Sequence, residues 1–201
     1  MRLAILLSGR GSNFASIHGA IARGELDAEI VCVISNRPEA PGVEYARSAG
    51  LPVHVLDHRA FASRAAHEAE VLTILENARP DFIALAGYMR LLSPAFVAAY
   101  PMRIVNIHPS LLPAFPGVDA QAQAVAYGVK ISGCTVHFVD ENLDAGPIIV
   151  QRAVAVHPDD DASTLAARIL EEEHVAYVEA LGKLGSGNYR VEGRRVIFGS
   201  C

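Results

Sequence analysis

Short apolar runs alternate with amphipathic segments along much of this chain, and this alternation constrains the fold more than any other feature. Apolar runs of about four to eight residues are typical of buried strands, whereas longer segments with apolar residues three and four apart are typical of helices. Strand–helix–strand units join parallel strands by right-handed crossovers. The pattern predicts a single-domain α/β fold with an open, mostly parallel twisted sheet flanked by helices. Two apolar runs within 131–155 predict an antiparallel portion in the C-terminal half.

The predicted strands cover residues 2–7, 29–34, 52–56, 82–86, 103–107, 131–139 and 147–155, and a hairpin is predicted near 188–198. The predicted helices cover residues 12–22, 42–49, 60–78, 94–99, 119–127 and 161–182. Ser12 or Asn13 is expected to cap the first helix, because short polar side chains favour that position. Prolines and a glycine in 110–118 predict a loop there. One domain is expected over 1–201.

Composition limits the classes of partner. The 201 residues are 51% hydrophobic, enough for a sizeable core, and the net charge of −5 is scattered along the chain. Nucleic acid and anionic membranes require a concentrated basic surface, so neither is expected as a partner. The apolar runs are too short for a signal sequence or a membrane span, and a cytoplasmic location is expected. Cys32 and Cys134 lie in strand-like runs and are expected to be buried thiols, while Cys201 is expected to be exposed.

The first candidate site follows the first predicted strand, in Ser8-Gly9-Arg10-Gly11-Ser12-Asn13. Free N–H groups at the start of a helix favour an anion, and glycine permits a tight turn. Phe14 stands where a dinucleotide fingerprint has its third glycine, so the loop is interpreted as a site for a single phosphate. Gly11, Ser12 and Asn13 would bind it. The alternative is a tight turn before a capped helix, without a ligand.

The second candidate site lies where the strand at 103–107 ends. Side chains alternate along a strand, so Asn106 and His108 share one side, and Pro109 ends the sheet ladder. Ligands bind at such strand ends in open α/β sheets. Asp144 lies in a turn imposed by Gly146 and Pro147, and it can reach His108 only if the strands at 103–107 and 131–139 are neighbours. The carboxylate would then favour the imidazolium, and the three side chains would suit acyl transfer through a tetrahedral intermediate.

Other residues are weaker candidates. His137 shares a strand face with Thr135 and could contact the residues of the second site without touching the ligand. Residues 87–94 offer an apolar wall with one cation, which suits a planar heteroaromatic ligand, and Arg64 could meet a carboxylate tail. The alternative for Arg64 is a solvated surface position. Histidines and cysteines show no metal-ligand spacing, so no metal is expected.

Several of these segments together resemble the folate-dependent phosphoribosylglycinamide formyltransferase family. The matching pieces are Leu7 to Asn13, Ala86-Gly87-Tyr88-Met89-Arg90, Asn106 to Pro113, Phe115-Pro116-Gly117, Thr135 to Val139, Leu143 to Pro147 and Glu173-His174. The resemblance implies a Rossmann-like formyltransferase fold, with a phosphate-binding βαβ half at 1–100 and a catalytic and folate-binding half at 101–201. It implies formyl transfer from 10-formyltetrahydrofolate to the amine of phosphoribosylglycinamide in purine biosynthesis.

The resemblance also implies roles for individual residues. Asn106, His108 and Asp144 would be catalytic, Gly11, Ser12 and Asn13 would bind the substrate phosphate, and Glu173 would contact the ribose hydroxyls. The folate would be held by Arg64, Met89, Arg90, Leu91, Leu92, Asn106, Asp140, Leu143 and Asp144. The expected partners are small molecules only, with the protein a monomer or a homodimer.

The sequence also fits two alternatives. The chain could be another folate-dependent formyltransferase, acting on methionyl-tRNA or a sugar amine, or a formyltetrahydrofolate hydrolase. A folate- or nucleotide-binding regulator without catalysis is the alternative from a different class, and it would tolerate loss of His108.

Overall fold

The structure is a computed structural model that describes residues 1–199, so the prediction for Cys201 lies outside the described residues. The chain divides into two compact units, Met1–Val105 and Asn106–Cys201. Each unit contains strands and helices, and the α/β class predicted from the sequence is confirmed. That one domain covers 1–201 stays a prediction.

The strands and helices follow in chain order. The strands are β1 (Arg2–Leu7), β2 (Glu29–Ser35), β3 (Val53–Val55), β4 (Phe82–Leu85), β5 (Ile104–His108), β6 (Ile131–Phe138), β7 (Ile148–Ala155), β8 (Tyr189–Glu192) and β9 (Arg195–Phe198). The α-helices are α1 (Ser12–Ala22), α2 (Pro41–Ser48), α3 (Arg64–Ala78), α4 (Pro94–Ala99), α5 (Ala120–Tyr127) and α6 (Ala162–Gly185). A single 3₁₀ turn, His58–Ala60, precedes α3.

The first unit contains a parallel sheet with the strand order β3-β2-β1-β4. Its central strand β1 is fully buried from Leu3 to Leu7. Parallel strands covered on both faces have continuous apolar runs of this kind, which is why the pattern was readable from the sequence. Strand β3 lies at the edge of the sheet, where a short strand next to a proline is tolerated.

The second unit begins with the last three residues of β5 and has the strand order β5-β6-β7-β9-β8. Strands β6 and β7 are antiparallel, from Ile131 opposite Ala155 to Val136 opposite Val150, and β8 and β9 form an antiparallel hairpin. Helix α6 packs on β6 and β7. It begins with a capping box in which the Asp161 side chain accepts from Ser163 and Thr164. The predicted antiparallel portion and hairpin are confirmed.

The predicted bounds of α1 are confirmed, but its predicted cap is wrong, and so is the predicted start of α3. Helix α1 is capped by Gly11 with a φ of 74°, and neither Ser12 nor Asn13 serves as the cap, because the chain must turn in a left-handed conformation directly after the loop. Helix α3 begins at Arg64 instead of residue 60, because the side chain of Ser63 accepts a hydrogen bond from the backbone of Ala66 and caps the helix.

The remaining predictions on the chain as a whole concern cysteines and membranes. Cys32 and Cys134 are buried free thiols, and burial raises the pKa of Cys32 to about 11 and that of Cys134 to about 12. Both thiols are therefore protonated and unreactive near neutral pH. Among the helices of residues 1–199, none has the length and apolar character that a membrane crossing requires.

Candidate active site

The carboxyl end of β5 presents two polar side chains in the second unit. Asn106 is half-buried and His108 is only 5% exposed. Because strand side chains alternate, Ile107 between them turns to the opposite face of the sheet. Pro109 lacks an N–H group, and β5 ends at His108. A buried imidazole at a strand end therefore lies beside an amide.

Asp144 approaches this strand end from the turn between β6 and β7. Its Oδ2 lies 3.4 Å from Nδ1 of His108 and accepts a hydrogen bond of 2.8 Å from the backbone N–H of Gly117. The Asp144 side chain is 9% exposed and its φ is 49°, a left-handed conformation that is uncommon for a residue other than glycine. Backbone strain of this kind persists only where the surrounding structure holds it. The turn is therefore built to hold this carboxylate near His108.

The two ring nitrogens of His108 both face acceptors. Nε2 lies 2.8 Å from the carbonyl oxygen of Phe115, and Nδ1 faces the Asp144 carboxylate. A carbonyl oxygen and an ionised carboxylate can only accept hydrogen bonds. A hydrogen on Nε2 satisfies the carbonyl oxygen of Phe115, and the Asp144 carboxylate lies beside the Nδ1 edge of the ring.

His137 completes the cluster from β6. Its Nε2 lies 3.3 Å from Nδ2 of Asn106 and 3.8 Å from Oδ1 of Asp144, and its Nδ1 lies 2.9 Å from the carbonyl oxygen of Phe138. The residue is 2% exposed, and burial lowers the pKa of its imidazole below the usual 6.5. The cluster therefore combines a histidine beside a carboxylate with a histidine whose burial favours the neutral ring.

The loop that follows β5 is anchored to β6 through Thr135. The buried Thr135 hydroxyl donates to the carbonyl oxygen of Ser110 at 2.7 Å and accepts from the backbone N–H of Leu112 at 3.0 Å. Gln151 of β7 donates to the same hydroxyl at 2.9 Å. These bonds fix the path of the chain directly after His108.

The predicted phosphate loop lies in the first unit. Gly11 caps α1, and Ser12 and Asn13 are the first two helical residues, so their backbone N–H groups lie at the helix start. The Ser8 hydroxyl donates to Asn36 at 2.5 Å and accepts from the backbone N–H of Met89 at 2.8 Å. Ser8 thereby ties this loop to the predicted folate segment, a connection that no sequence signal indicated.

The predicted folate residues of the first unit differ in environment. Met89 is 75% exposed and Leu91 is 64% exposed. Arg64 begins α3, is exposed, and donates from its Nε to Glu68 at 2.8 Å. Glu68 is buried and also accepts from the backbone N–H of Ser93 at 3.1 Å. Arg90 and Leu92 are half-buried.

The predicted residues of the second unit lie in two places. Glu173 is a buried residue of α6, at 8% exposure. Asp140 and Leu143 lie in the turn that carries Asp144, where Asp140 accepts from the backbone N–H of Asn142 and Leu143 is 56% exposed. The structure thus brings Asp144 to His108 and His137, and His137 in turn lies beside Asn106. Within residues 1–199, no group of three or more His, Cys, Asp or Glu side chains is arranged to hold a metal ion.

Sequence reasoning missed two backbone partners of the site. The carbonyl group of Phe115 and the N–H group of Gly117 bind the catalytic candidates, and backbone groups leave no trace in residue identity. His137 was only a weak candidate, although its alternation with Thr135 on β6 was a usable signal.

A carboxylate, an imidazole and an amide at the end of a buried strand form a site of the kind that carries out acyl transfer. The comparison with protein families shows which family the chain belongs to. The family described as Formyl transferase matches residues 1–181, so the chain belongs to the formyl transferase family.

Individual proteins are similar to this chain in sequence or in structure. The chain is 39% identical over 191 residues to the phosphoribosylglycinamide formyltransferase of Escherichia coli, covering 95% of this chain and 90% of that protein. It is similar to the crystal structure of glycinamide ribonucleotide transformylase 1 from Symbiobacterium toebii, with a TM-score of 0.96, 45% identity and coverage of 98% of this chain and 93% of that one. It is 50% identical over 189 residues to the trifunctional purine biosynthetic protein adenosine-3 of Drosophila melanogaster, covering 92% of this chain but only 14% of that longer protein.

Proposed function

We propose that this protein transfers a formyl group from 10-formyltetrahydrofolate to the amine of phosphoribosylglycinamide, giving the formylated amide and tetrahydrofolate. The observation that carries the proposal is the buried cluster of Asn106, His108 and Asp144 at the end of β5. The named relatives in Escherichia coli and Symbiobacterium toebii support the choice of substrates. The substrates are small molecules, and we propose a single domain that acts as a monomer or a homodimer.

Asn106 and His108 supply the chemistry at the formyl oxygen. When the amine attacks the formyl carbon, negative charge develops on that oxygen. The Asn106 amide is a hydrogen-bond donor fixed by a buried strand, and the His108 imidazolium on the same strand would place a positive charge near that oxygen. A fixed donor and a fixed charge stabilise such an oxyanion without reorganising. Removing one donor of this kind typically lowers the rate by about 10²–10³-fold.

Asp144 orients the His108 ring and assists the transfer of the amine proton. Its carboxylate lies 3.4 Å from the ring and keeps the imidazole charged and oriented. A water molecule beside the carboxylate can take the proton from the attacking amine and deliver it to the departing folate nitrogen. No covalent bond to the protein forms during the reaction, and the proton removed from the amine ends on the folate nitrogen.

The other predicted residues bind the substrates. The backbone groups of Gly11, Ser12 and Asn13 at the start of α1 would bind the phosphate, as helix N-termini bind anions. Glu173 would accept hydrogen bonds from the ribose hydroxyls. The folate would contact Arg64, Met89, Arg90, Leu91, Leu92, Asp140 and Leu143.

The experiment is a turnover assay of the purified protein with formyl-folate and phosphoribosylglycinamide, which follows the release of tetrahydrofolate and the mass of the formylated product. His108→Ala and Asp144→Asn should each lower kcat by about 10²-fold or more, with a smaller change in KM. His54→Ala and Asp159→Asn, which change exposed residues of the same types, are the matched controls and should leave kcat unaltered.

The assay also distinguishes the alternatives. Release of formate without a formylated amine would indicate a hydrolase. Transfer to another amine but not to this one would indicate a different formyltransferase. Tight binding of folate without turnover, unaffected by His108→Ala, would indicate a regulator and contradict the proposal.

A further inference from the structure

We propose that His137 is a positioning residue: as a neutral imidazole with its hydrogen on Nδ1, it accepts a hydrogen bond from Asn106 and fixes the Asn106 amide with an N–H group available to the developing oxyanion. The inference rests on the proposed function, because it concerns the same site. His137 is buried in this site and takes no part in the proposed chemistry of Asn106, His108 and Asp144.

The backbone selects the tautomer of His137. Its Nδ1 lies 2.9 Å from the carbonyl oxygen of Phe138, the next residue in the chain. Since a carbonyl oxygen accepts and never donates, Nδ1 must carry the hydrogen. A hydrogen on Nε2 alone would leave two lone pairs facing each other at this distance.

Burial selects the neutral form. His137 is 2% exposed, and removal from water disfavours the charged ring and lowers its pKa. Asp144 favours the charged ring but lies 3.8 Å from Nε2, beyond hydrogen-bond distance, while the His108 ring opposes a second positive charge. Nε2 therefore presents a lone pair to its surroundings.

The lone pair in turn orients Asn106. The group 3.3 Å from Nε2 is the side-chain amide of Asn106, which could present either its oxygen or its nitrogen. An acceptor accommodates only the N–H end, so Nδ2 faces His137. That nitrogen carries a second hydrogen, which remains for the oxyanion. If the amide were reversed, its oxygen would lie where the negative charge develops and would oppose it.

The strand geometry keeps His137 in place. Pairing between β6 and β7 is regular up to Val136 opposite Val150 and then skips Ile149, so that His137 lies opposite Ile148. One extra residue on a strand is a β-bulge, a device that re-aims side chains next to active sites. The ring of His137 is thereby held by a strand instead of a flexible loop.

Two substitutions separate the roles of the ring nitrogens. His137→Gln places an amide oxygen near the position of Nε2, where it can accept from Asn106. His137→Asn places an amide nitrogen near the position of Nδ1, where it can donate to Phe138 but leaves Asn106 without its acceptor. The assay measures kcat and KM of both variants, with thermal unfolding as the check on folding.

We expect His137→Asn to lower kcat by about 10-fold to 100-fold, less than complete loss of the Asn106 donor. KM for both substrates should stay within about twofold, since the ring does not bind them. His137→Gln should keep kcat within about threefold of the wild type. Equal losses of kcat in two folded variants, or a loss confined to KM, would overturn the inference.

A measurement without turnover keeps the two proposals separate. Nitrogen-15 NMR of the wild-type protein should show the His137 ring with hydrogen on Nδ1 and none on Nε2. The side-chain amide signal of Asn106 should shift in His137→Asn and should stay in place in the control variant His54→Ala. A ring with hydrogen on Nε2 would overturn the inference even if the protein transfers formyl groups. The expected spectrum in a protein that transfers none would overturn the proposed function and leave the hydrogen bond standing. If neither variant folds, the wild-type spectrum alone decides.

Discussion

Replacing Thr135 by valine removes one buried hydroxyl and tests how the loop that follows His108 is held. Valine has nearly the shape of threonine, so packing changes little while three hydrogen bonds disappear. They join Thr135 to the carbonyl oxygen of Ser110, the backbone N–H of Leu112 and the side chain of Gln151. Gln151 still donates to the carbonyl oxygen of Leu112 and is exposed to water. Ser110 and Leu112 are buried, and their groups lose a partner without gaining water.

The size of the effect follows from these partners. A buried hydrogen-bonding group left without its partner costs about 1–3 kcal/mol, and here two backbone groups are affected. Loss of the Gln151 bond adds little, since water replaces it. We therefore expect Thr135→Val to lower the free energy of unfolding by about 3 kcal/mol. For a chain of about 200 residues this corresponds to a fall in Tm of about 6–12 °C.

The assay is thermal unfolding followed by circular dichroism, with two controls. Thr135→Ser keeps the hydroxyl and should cost only about 1 kcal/mol for the lost methyl group. Ser132→Ala removes another buried hydroxyl of the same strand, and Ser132 Oγ has no hydrogen-bond partner within residues 1–199. Its removal relieves a desolvation cost, so this variant should be as stable as the wild type or more stable.

Either of two results would contradict this role of Thr135. One is a Thr135→Val protein within about 1 kcal/mol of the wild type, which would mean that the loop is not held by these bonds. The other is a Ser132→Ala protein destabilised as much as Thr135→Val, which would mean that loss of any hydroxyl from β6 has the same effect.

Three further predictions concern the two units. A methyl group on Gly146 would overlap the carbonyl oxygen of Phe138, so Gly146→Ala should displace the turn of Asp144 and lower kcat by about 10²-fold in the turnover assay. Burial lowers the pKa of His137 and of His67, so the unfolded chain binds protons before the folded protein does as the pH falls. The free energy of unfolding should therefore be at its full value above about pH 6.5 and should decrease towards pH 5. A Tm that stays level between pH 8 and pH 5 would contradict this prediction. Burial raises the pKa of Glu68, but hydrogen bonds from Ser93 and Arg64 outweigh it and hold the pKa below 4.5. Glu68→Gln should therefore cost about 1.5–3 kcal/mol at pH 7, and the difference from the wild type should shrink as the pH falls below 4.5, as measured by thermal unfolding.

The first unit was the more predictable from sequence. Its strand β1 is apolar at every position from Leu3 to Leu7 because helices and loops cover both faces of a parallel sheet, and such runs are visible without any structure. The start of α1 was less predictable. Gly11 caps this helix in a left-handed backbone conformation. Ser12 and Asn13 are residue types that favour the cap position, so the sequence indicated them instead.

In the candidate site, sequence indicated the side chains but not their partners. Asn106 and His108 were visible because alternation places them together and Pro109 ends their strand. Their catalytic roles stay predictions. The partners of His108 and Asp144 include backbone groups of Phe115 and Gly117, which any residue type would supply equally well.

The order of residues by itself determined the α/β class, the places where strands end and the kinds of side chain found there, because local periodicity and proline act within a few residues. Only the tertiary structure decided that Asp144 lies 3.4 Å from His108 and that His137 faces Asn106. Those distances depend on which strands become neighbours and on a bulge between β6 and β7, and both are set by packing of the whole sheet rather than by any local pattern.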